Sequence, residues 1–236
     1  MGAHPRRRGG PSRGGDGLMP ALLFDLDGTL LETDPLHAAV FVDIFAEHGR
    51  DVDEAFYMKH IHGRLNAEIF EEYFPDSHTQ EMADDKEARF RERLGGSAEP
   101  LPGLLALLER AEAAGWPMAV VTNAPRENAE AMLSAIGLDG RFATIVLGDD
   151  CPRGKPDPYP YAHAMRLLGV TPGQTLAFED SRAGIASAAG AGATVLGVTT
   201  GLDADTLRAA GATATIRDYT DPALETEIRR IEGATA

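Results

Sequence analysis

Five short apolar runs constrain this chain more than any other feature: Ala21–Phe24, Met118–Val121, Thr144–Leu147, Thr175–Phe178 and Thr194–Val198. Each is too short for a helix and lacks the apolar–polar alternation of a half-exposed strand, so each suits a strand buried on both faces. Between them, residues 104–113, 127–136 and 159–168 carry apolar side chains at helical spacing. Alternating strands and helices predict an α/β fold, with a parallel sheet covered on both sides.

Residues 34–98 break that rhythm. They contain no buried strand pattern and read as amphipathic helices over 35–47, 67–73 and 80–94. An insert of this size after the first strand predicts a helical cap at 33–98 beside an α/β core at 19–32 and 99–236. Residues 1–18 are rich in Gly, Arg and Pro and read as a disordered extension, with Met19 as the natural start. A basic arm touching a polyanion is the other reading of that stretch, and the weaker one.

Three runs end in groups with chemistry: Asp25-Leu26-Asp27, Thr122-Asn123 and Glu179-Asp180. Ligands of open parallel sheets bind beyond the carboxyl ends of the strands. Polar residues are common wherever strands become loops, so one such end means little. Three together point to one site. Carboxylates at Asp25, Glu179 and Asp180 repel one another unless a cation lies between them. Oxygen ligands favour Mg2+ over Zn2+. A carboxylate can attack phosphorus. A second one two residues on, Asp27, points to the same side of a locally extended backbone and can protonate a leaving oxygen. Gly28 permits the tight turn.

The only lysines are Lys59, Lys86 and Lys155. Most lysines are simply exposed. Lys155, however, sits in the Gly- and Pro-marked loop Arg153–Pro158 just before a helix, where it can neutralise a transferring phosphoryl group. The net charge of −15 argues against nucleic acid as a partner. No apolar run approaches the ~20 residues of a membrane span, and the N-terminus has no stretch like a signal peptide. Cys151 is the only cysteine, which excludes an internal disulfide and a thiolate metal cluster. A cytoplasmic protein is expected, a monomer or weak homodimer whose partner is a small-molecule phosphate ester, with no membrane partner.

Four segments, in order and spacing, resemble the haloacid dehalogenase superfamily on the branch that includes β-phosphoglucomutase and small sugar-phosphate phosphatases. They are Asp25-Leu26-Asp27-Gly28-Thr29-Leu30-Leu31, Val120-Val121-Thr122-Asn123, Gly154-Lys155-Pro156 and Phe178-Glu179-Asp180-Ser181-Arg182-Ala183-Gly184. The resemblance runs from Leu22 to about Gly201. It implies a Rossmann-like, doubly wound sheet with the helical cap inserted after the first strand. It implies Asp25 as nucleophile and metal ligand, and Asp27 as general acid/base with its backbone carbonyl on the metal. Thr122 and the Asn123 backbone would hold phosphoryl oxygens, and Lys155 would steady their charge. Asp180 would bind Mg2+, with Glu179 as a direct or water-mediated partner. Asp27 argues against dehalogenation, because a departing halide needs no proton whereas an alkoxide leaving phosphorus does.

The cap carries the substrate question. His37 matches a histidine near the proton-transfer site of β-phosphoglucomutase, and packing against the core is its plain alternative. His62-Gly63-Arg64 matches the specificity loop, where Arg64 could bind an anionic group or sugar hydroxyls. The sequence departs from the mutase pattern at His62 and Asn66, which align with the mutase's phosphate-binding lysine and arginine. It departs again in Thr122–Arg126, where Arg126 is either a secondary phosphate contact or a solvated side chain. These departures favour hydrolysis. The expected activity is that of a Mg2+-dependent phosphomonoesterase on a small phosphorylated metabolite, a sugar phosphate by class, working through an aspartyl phosphate. A phosphomutase and a non-catalytic phospho-ligand binder are the alternatives.

Overall fold

The computed structural model describes residues 19–233, so the extension expected at 1–18 lies outside the described residues. Six strands form one parallel sheet: β1 (Ala21–Phe24), β2 (Met118–Thr122), β3 (Ile145–Leu147), β4 (Thr175–Glu179), β5 (Thr194–Val198) and β6 (Ala214–Ile216). Their order is β3-β2-β1-β4-β5-β6. Leu23 of β1 lies opposite Ala119 on one side and Ala177 on the other. The first five strands coincide with the apolar runs. The sixth has no such run, because Ala214-Thr215-Ile216 is an edge strand that pairs only with β5.

Five helices lie between β1 and β2, and the first four fall within the expected insert: α1 (Asp34–Glu47), α2 (Glu54–His60), α3 (Asn66–Tyr73) and α4 (Thr79–Leu94). The expected helix starts move by one residue. Helix α2 was not anticipated, since two turns are too short to display a period. Its start is marked by Asp53, whose side chain accepts a hydrogen bond from Phe56 N at 2.8 Å. Phe45 is fully buried among these helices, with Phe56 and Phe74 rings at 5.5 and 4.9 Å.

The remaining helices are α5 (Leu104–Ala114), α6 (Arg126–Ala135), α7 (Tyr159–Leu168), α8 (Arg182–Gly190), α9 (Ala204–Ala210) and α10 (Pro222–Gly233). The two-residue period of the strands sorts the core. Leu22, Phe24, Val120, Leu176 and Phe178 pack on the side of α5, α6 and α10. Leu23, Ala119, Val121, Ala177 and Val195 pack on the side of α7, α8 and α9. The last three helices of the chain escaped the sequence reading. In α8 the buried positions are Gly184, Ile185, Ser187 and Ala188, too small to read as an apolar stripe.

The chain runs outward through β1, β2 and β3, then returns to place β4 against the other edge of β1. The order reverses between β1 and β4, and the crevice beyond their carboxyl ends is where such sheets bind ligands. Among the described residues, no helix is long and apolar enough to cross a membrane.

Phe24 anchors the centre. Its ring stacks on Phe178 at 4.9 Å and 8°, with Phe142 edge-on at 5.8 Å. Phe24→Ala should therefore lower the unfolding free energy by about 3–5 kcal/mol in a denaturant titration. A loss below about 1 kcal/mol would show that this core closes over the cavity more readily than its packing implies.

Candidate active site

Asp25 directly follows β1, and its N–H still donates to Phe178 O at 3.0 Å, extending the ladder by one residue. Glu179 is the last residue of β4 and Asp180 follows it. Ser181 then caps α8 by accepting from Gly184 N at 3.0 Å. The loop after Asp25 folds back over Asp180 at Gly28. That residue has φ +67°, and a Cβ there would stand 2.2 Å from Asp180 Oδ2. A left-handed conformation and a close approach thus coincide at the one residue that tolerates both.

Lys155 enters from the loop between β3 and α7. Its Nζ lies 2.5 Å from Asp25 Oδ1 and 2.5 Å from Glu179 Oε1. The Asn123 side chain, at the end of β2, fixes the lysine's backbone. Its Nδ2 donates to Lys155 O at 3.1 Å, and its Oδ1 accepts from Lys155 N at 3.0 Å. Glu179 is fully buried and also accepts from Tyr161 OH at 2.7 Å and Ser181 Oγ at 3.3 Å. Gly184 presses against it so closely that a Cβ would sit 1.9 Å from Glu179 Oε2.

One buried ammonium pairs with two carboxylates, and ligand atoms of Asp25, Glu179 and Asp180 all lie within 4.8 Å of one another. The charges respond. Burial pushes the Asp25 carboxyl up to about 8, against the pull of Lys155 and with a further push from Glu179. Asp180 is driven well above the usual carboxylate range by burial and then by Asp25 and Glu179. Burial alone would lower Lys155, but Asp25 and Glu179 hold it above its ordinary value. The donor set is buried, anionic and all oxygen, so these residues fit a hard divalent cation.

Asp27 is half-buried and accepts from Thr33 Oγ1 at 2.9 Å, with His37 Nε2 at 3.0 Å from the same oxygen. Burial raises its carboxyl, but the bonds from His37 and Thr33 outweigh that and hold it below the usual range. His37 also stacks on Phe90 at 4.1 Å. It is both packed in the core and placed beside Asp27, so the two sequence alternatives coexist.

Asp25, Asp27, Thr122, Asn123, Lys155 and Asp180 line one cavity of about 430 Å³, of a size that suits a small ligand. His37 and Arg64 also line it, whereas Glu179 stands behind Lys155, outside the lining. The Arg64 guanidinium is held by Glu72 at 2.7 Å and the His60 carbonyl at 2.9 Å. Arg126 is exposed, pairs with Asp150 at 2.6 Å and does not line the cavity, so it is a surface residue. Several participants escaped the sequence reading: the Asn123 side chain, Tyr161, and the lining residues Lys86, Glu87 and Asn128. The scarcity of lysine that drew attention to Lys155 applied equally to Lys86.

A cation entering the acidic cluster displaces the proton that the crowded carboxylates retain. Its affinity should rise with pH through the raised Asp25 value of about 8 and level off above it. Calorimetric titration at a series of pH values measures this, and a flat profile would contradict the charge assignment.

The sequence model of the family described as haloacid dehalogenase-like hydrolase matches residues 22–198. Validoxylamine A 7'-phosphate phosphatase of Streptomyces hygroscopicus subsp. limoneus is 32% identical over 202 residues, covering 84% of this chain and 93% of that protein. The fructose-1-phosphate phosphatase YqaB of Escherichia coli is 32% identical over 175 residues, covering 72% of this chain and 92% of that one. Among solved structures, a HAD hydrolase of family IA, variant 3, from Entamoeba histolytica superposes with a TM-score of 0.81 at 28% identity, covering 90% of this chain and 99% of the other.

Proposed function

The chain belongs to the haloacid dehalogenase-like hydrolase family, and from that premise we propose that it is a Mg2+-dependent phosphomonoesterase acting on a small phosphorylated metabolite, a sugar phosphate by class. One observation carries the reading: Asp25 paired with Lys155 at 2.5 Å, and Asp27 two residues on, held by Thr33 and His37, line the same cavity. The named activities of the two phosphatase relatives support it.

The roles follow from placement. The Asp25 carboxylate attacks phosphorus and forms an aspartyl phosphate, while Asp27 in its protonated form gives its proton to the departing oxygen. Asp27 is then a carboxylate, the form that Thr33 and His37 favour, and takes a proton from the water that cleaves the acyl phosphate. Thr122 and the Asn123 backbone hold phosphoryl oxygens. Lys155 balances the charge on them, held in place by Glu179 and by the Asn123 side chain. Asp25, Asp180 and the Asp27 backbone carbonyl would hold Mg2+, with Glu179 as an indirect partner. The ion supplies electrostatic stabilisation of the transferring group and relieves the repulsion among the carboxylates.

A phosphomutase needs a second grip for its bisphosphate. Of the candidates singled out in the sequence, Arg126 does not line the cavity, and Arg64 pairs with Glu72. A non-catalytic binder would need neither a nucleophile nor an acid/base.

Asp25→Asn should abolish Mg2+-dependent phosphate release, and full activity in that variant would end the mechanism. Asp27→Asn should lower kcat by about 100- to 10,000-fold for an alkyl phosphate. The attack step should suffer much less when the leaving group is a p-nitrophenolate, which departs without a proton. Burst and steady-state kinetics separate the two steps.

A further inference from the structure

We propose that Asp34, His62 and Asp180 form a second divalent-cation site, one that takes a borderline ion of the Zn2+ class beside the all-oxygen cluster, with Asp180 standing between the two metal positions.

The three residues come from three parts of the chain. Asp34 is the first residue of α1, His62 lies in the loop between α2 and α3, and Asp180 follows β4. One carboxylate oxygen of each aspartate and one imidazole nitrogen all lie within 4.8 Å of one another. The His62 side chain is only 7% exposed, and its Nε2 stands 3.2 Å from Asp34 Oδ2. That oxygen is itself buried and receives no hydrogen bond from the described residues. A buried oxygen left without a donor is destabilising, and an ion that accepts its lone pair removes the penalty. The spacing also suits an ion. Bonds of ~2.0–2.2 Å around a four-coordinate centre place neighbouring ligand atoms roughly 3.3–3.6 Å apart.

The surroundings aim these atoms. Tyr57 OH donates to the other carboxylate oxygen, Asp34 Oδ1, at 2.9 Å, which leaves Oδ2 to face His62. The Tyr57 ring lies edge-on to the imidazole at 6.1 Å and 78°. Such outer hydrogen bonds orient metal ligands. Gly201, beyond β5, faces the same two atoms. A Cβ there would stand 2.5 Å from Asp34 Oδ2 and 3.1 Å from His62 Nε2. Any side chain at 201 would obstruct them, and glycine does not.

The donor set gives the class of ion. Asp25, Glu179 and Asp180 offer only oxygen and suit a hard cation. An imidazole in place of one oxygen shifts the preference towards Zn2+ and its neighbours. The two lysines of the cavity lining pair with other acids, Lys155 with Asp25 and Glu179 and Lys86 with Glu87. All three proposed ligands line the cavity, so a fourth position of the ion would open onto it. An ion held here ties the insert, through Asp34 and His62, to the core, through Asp180.

Calorimetric titration of Zn2+ into the metal-stripped protein, with Mg2+ saturating, counts the site. One Zn2+ per chain is expected. Tyr57→Phe keeps the ring but loses the bond to Asp34, and should weaken Zn2+ binding by about 10- to 100-fold. His62→Gln removes a direct ligand and should weaken it at least about 100-fold, beyond the loss from an outer partner. Asp25→Asn disrupts only the all-oxygen cluster and should bind Zn2+ with unchanged affinity. Absence of Zn2+ uptake would leave Asp34 and His62 as an ion pair only. Equal uptake by a folded His62→Gln variant, or loss of uptake in Asp25→Asn, would place the ion elsewhere. Each of these three results overturns the inference. If neither His62→Gln nor Tyr57→Phe folds by circular dichroism, anomalous diffraction from Zn2+-soaked wild-type crystals decides. A peak among Asp34, His62 and Asp180 supports the site, and its absence there overturns it. None of these readouts uses phosphate release, so a protein inactive on every ester would end the phosphomonoesterase reading and leave this test standing.

Discussion

The buried ion cluster of Lys155 with Asp25 and Glu179 is the interaction on which the rest of the structure depends. A lysine brought out of water is costly unless its charge is met within hydrogen-bonding distance. Here two carboxylates meet it at 2.5 Å. Each member is positioned by a different part of the fold: Asp25 by the end of β1, Glu179 by the end of β4, and Lys155 by the Asn123 clamp at the end of β2. The cluster can form only if those three strands are in register and the loop after β3 returns to the same edge. It therefore reports on the topology as much as on the chemistry. Asp180 then tips the balance to an excess of negative charge, which a divalent cation would offset.

Two kinds of glycine make the cluster possible. Gly28 turns the loop after Asp25 through a left-handed conformation directly above Asp180, and Gly184 lets α8 lie against the Glu179 carboxylate. Neither contact leaves room for a methyl group. The acids are held by close backbone packing from several directions, which supplies the preorganisation that phosphoryl transfer requires. Asp27 lies on the wetter side of the same loop, half-exposed and joined to α1 through Thr33 and His37. Its environment differs from that of Asp25 in the way the two proposed roles require. One carboxyl is raised by burial in a crowded cluster, and the other is lowered by the hydrogen bonds of His37 and Thr33.

The sheet was legible in the sequence because strands buried on both faces leave uninterrupted apolar runs. The strand-end acids were legible because polar residues at the ends of such runs stand out. β6 left no trace, since an edge strand need not be apolar, and α8 left none because its buried side chains are so small. In the site, the amino acids with intrinsic chemistry could be named in advance. Those that act by holding others could not. Asn123 was read for its backbone, yet its side chain fixes Lys155. Tyr161 looked like one more apolar position of α7, although its hydroxyl closes the shell of Glu179. Glu87, Asn66 and Asn128 lie far apart in the chain, and only packing of the insert against α6 brings them together.

In the proposed reaction, Asp25 carries the phosphoryl group covalently between attack and hydrolysis. Acid-quenched mixtures of the Asp27→Asn variant with p-nitrophenyl phosphate test it most directly. Attack proceeds there without a general acid, and hydrolysis of the intermediate lacks its base. Peptide mass spectrometry should find the mass of one phosphoryl group on the peptide containing Asp25, labile to hydroxylamine as an acyl phosphate is. Release of p-nitrophenol with no such adduct, or an adduct on any other residue, would contradict the account.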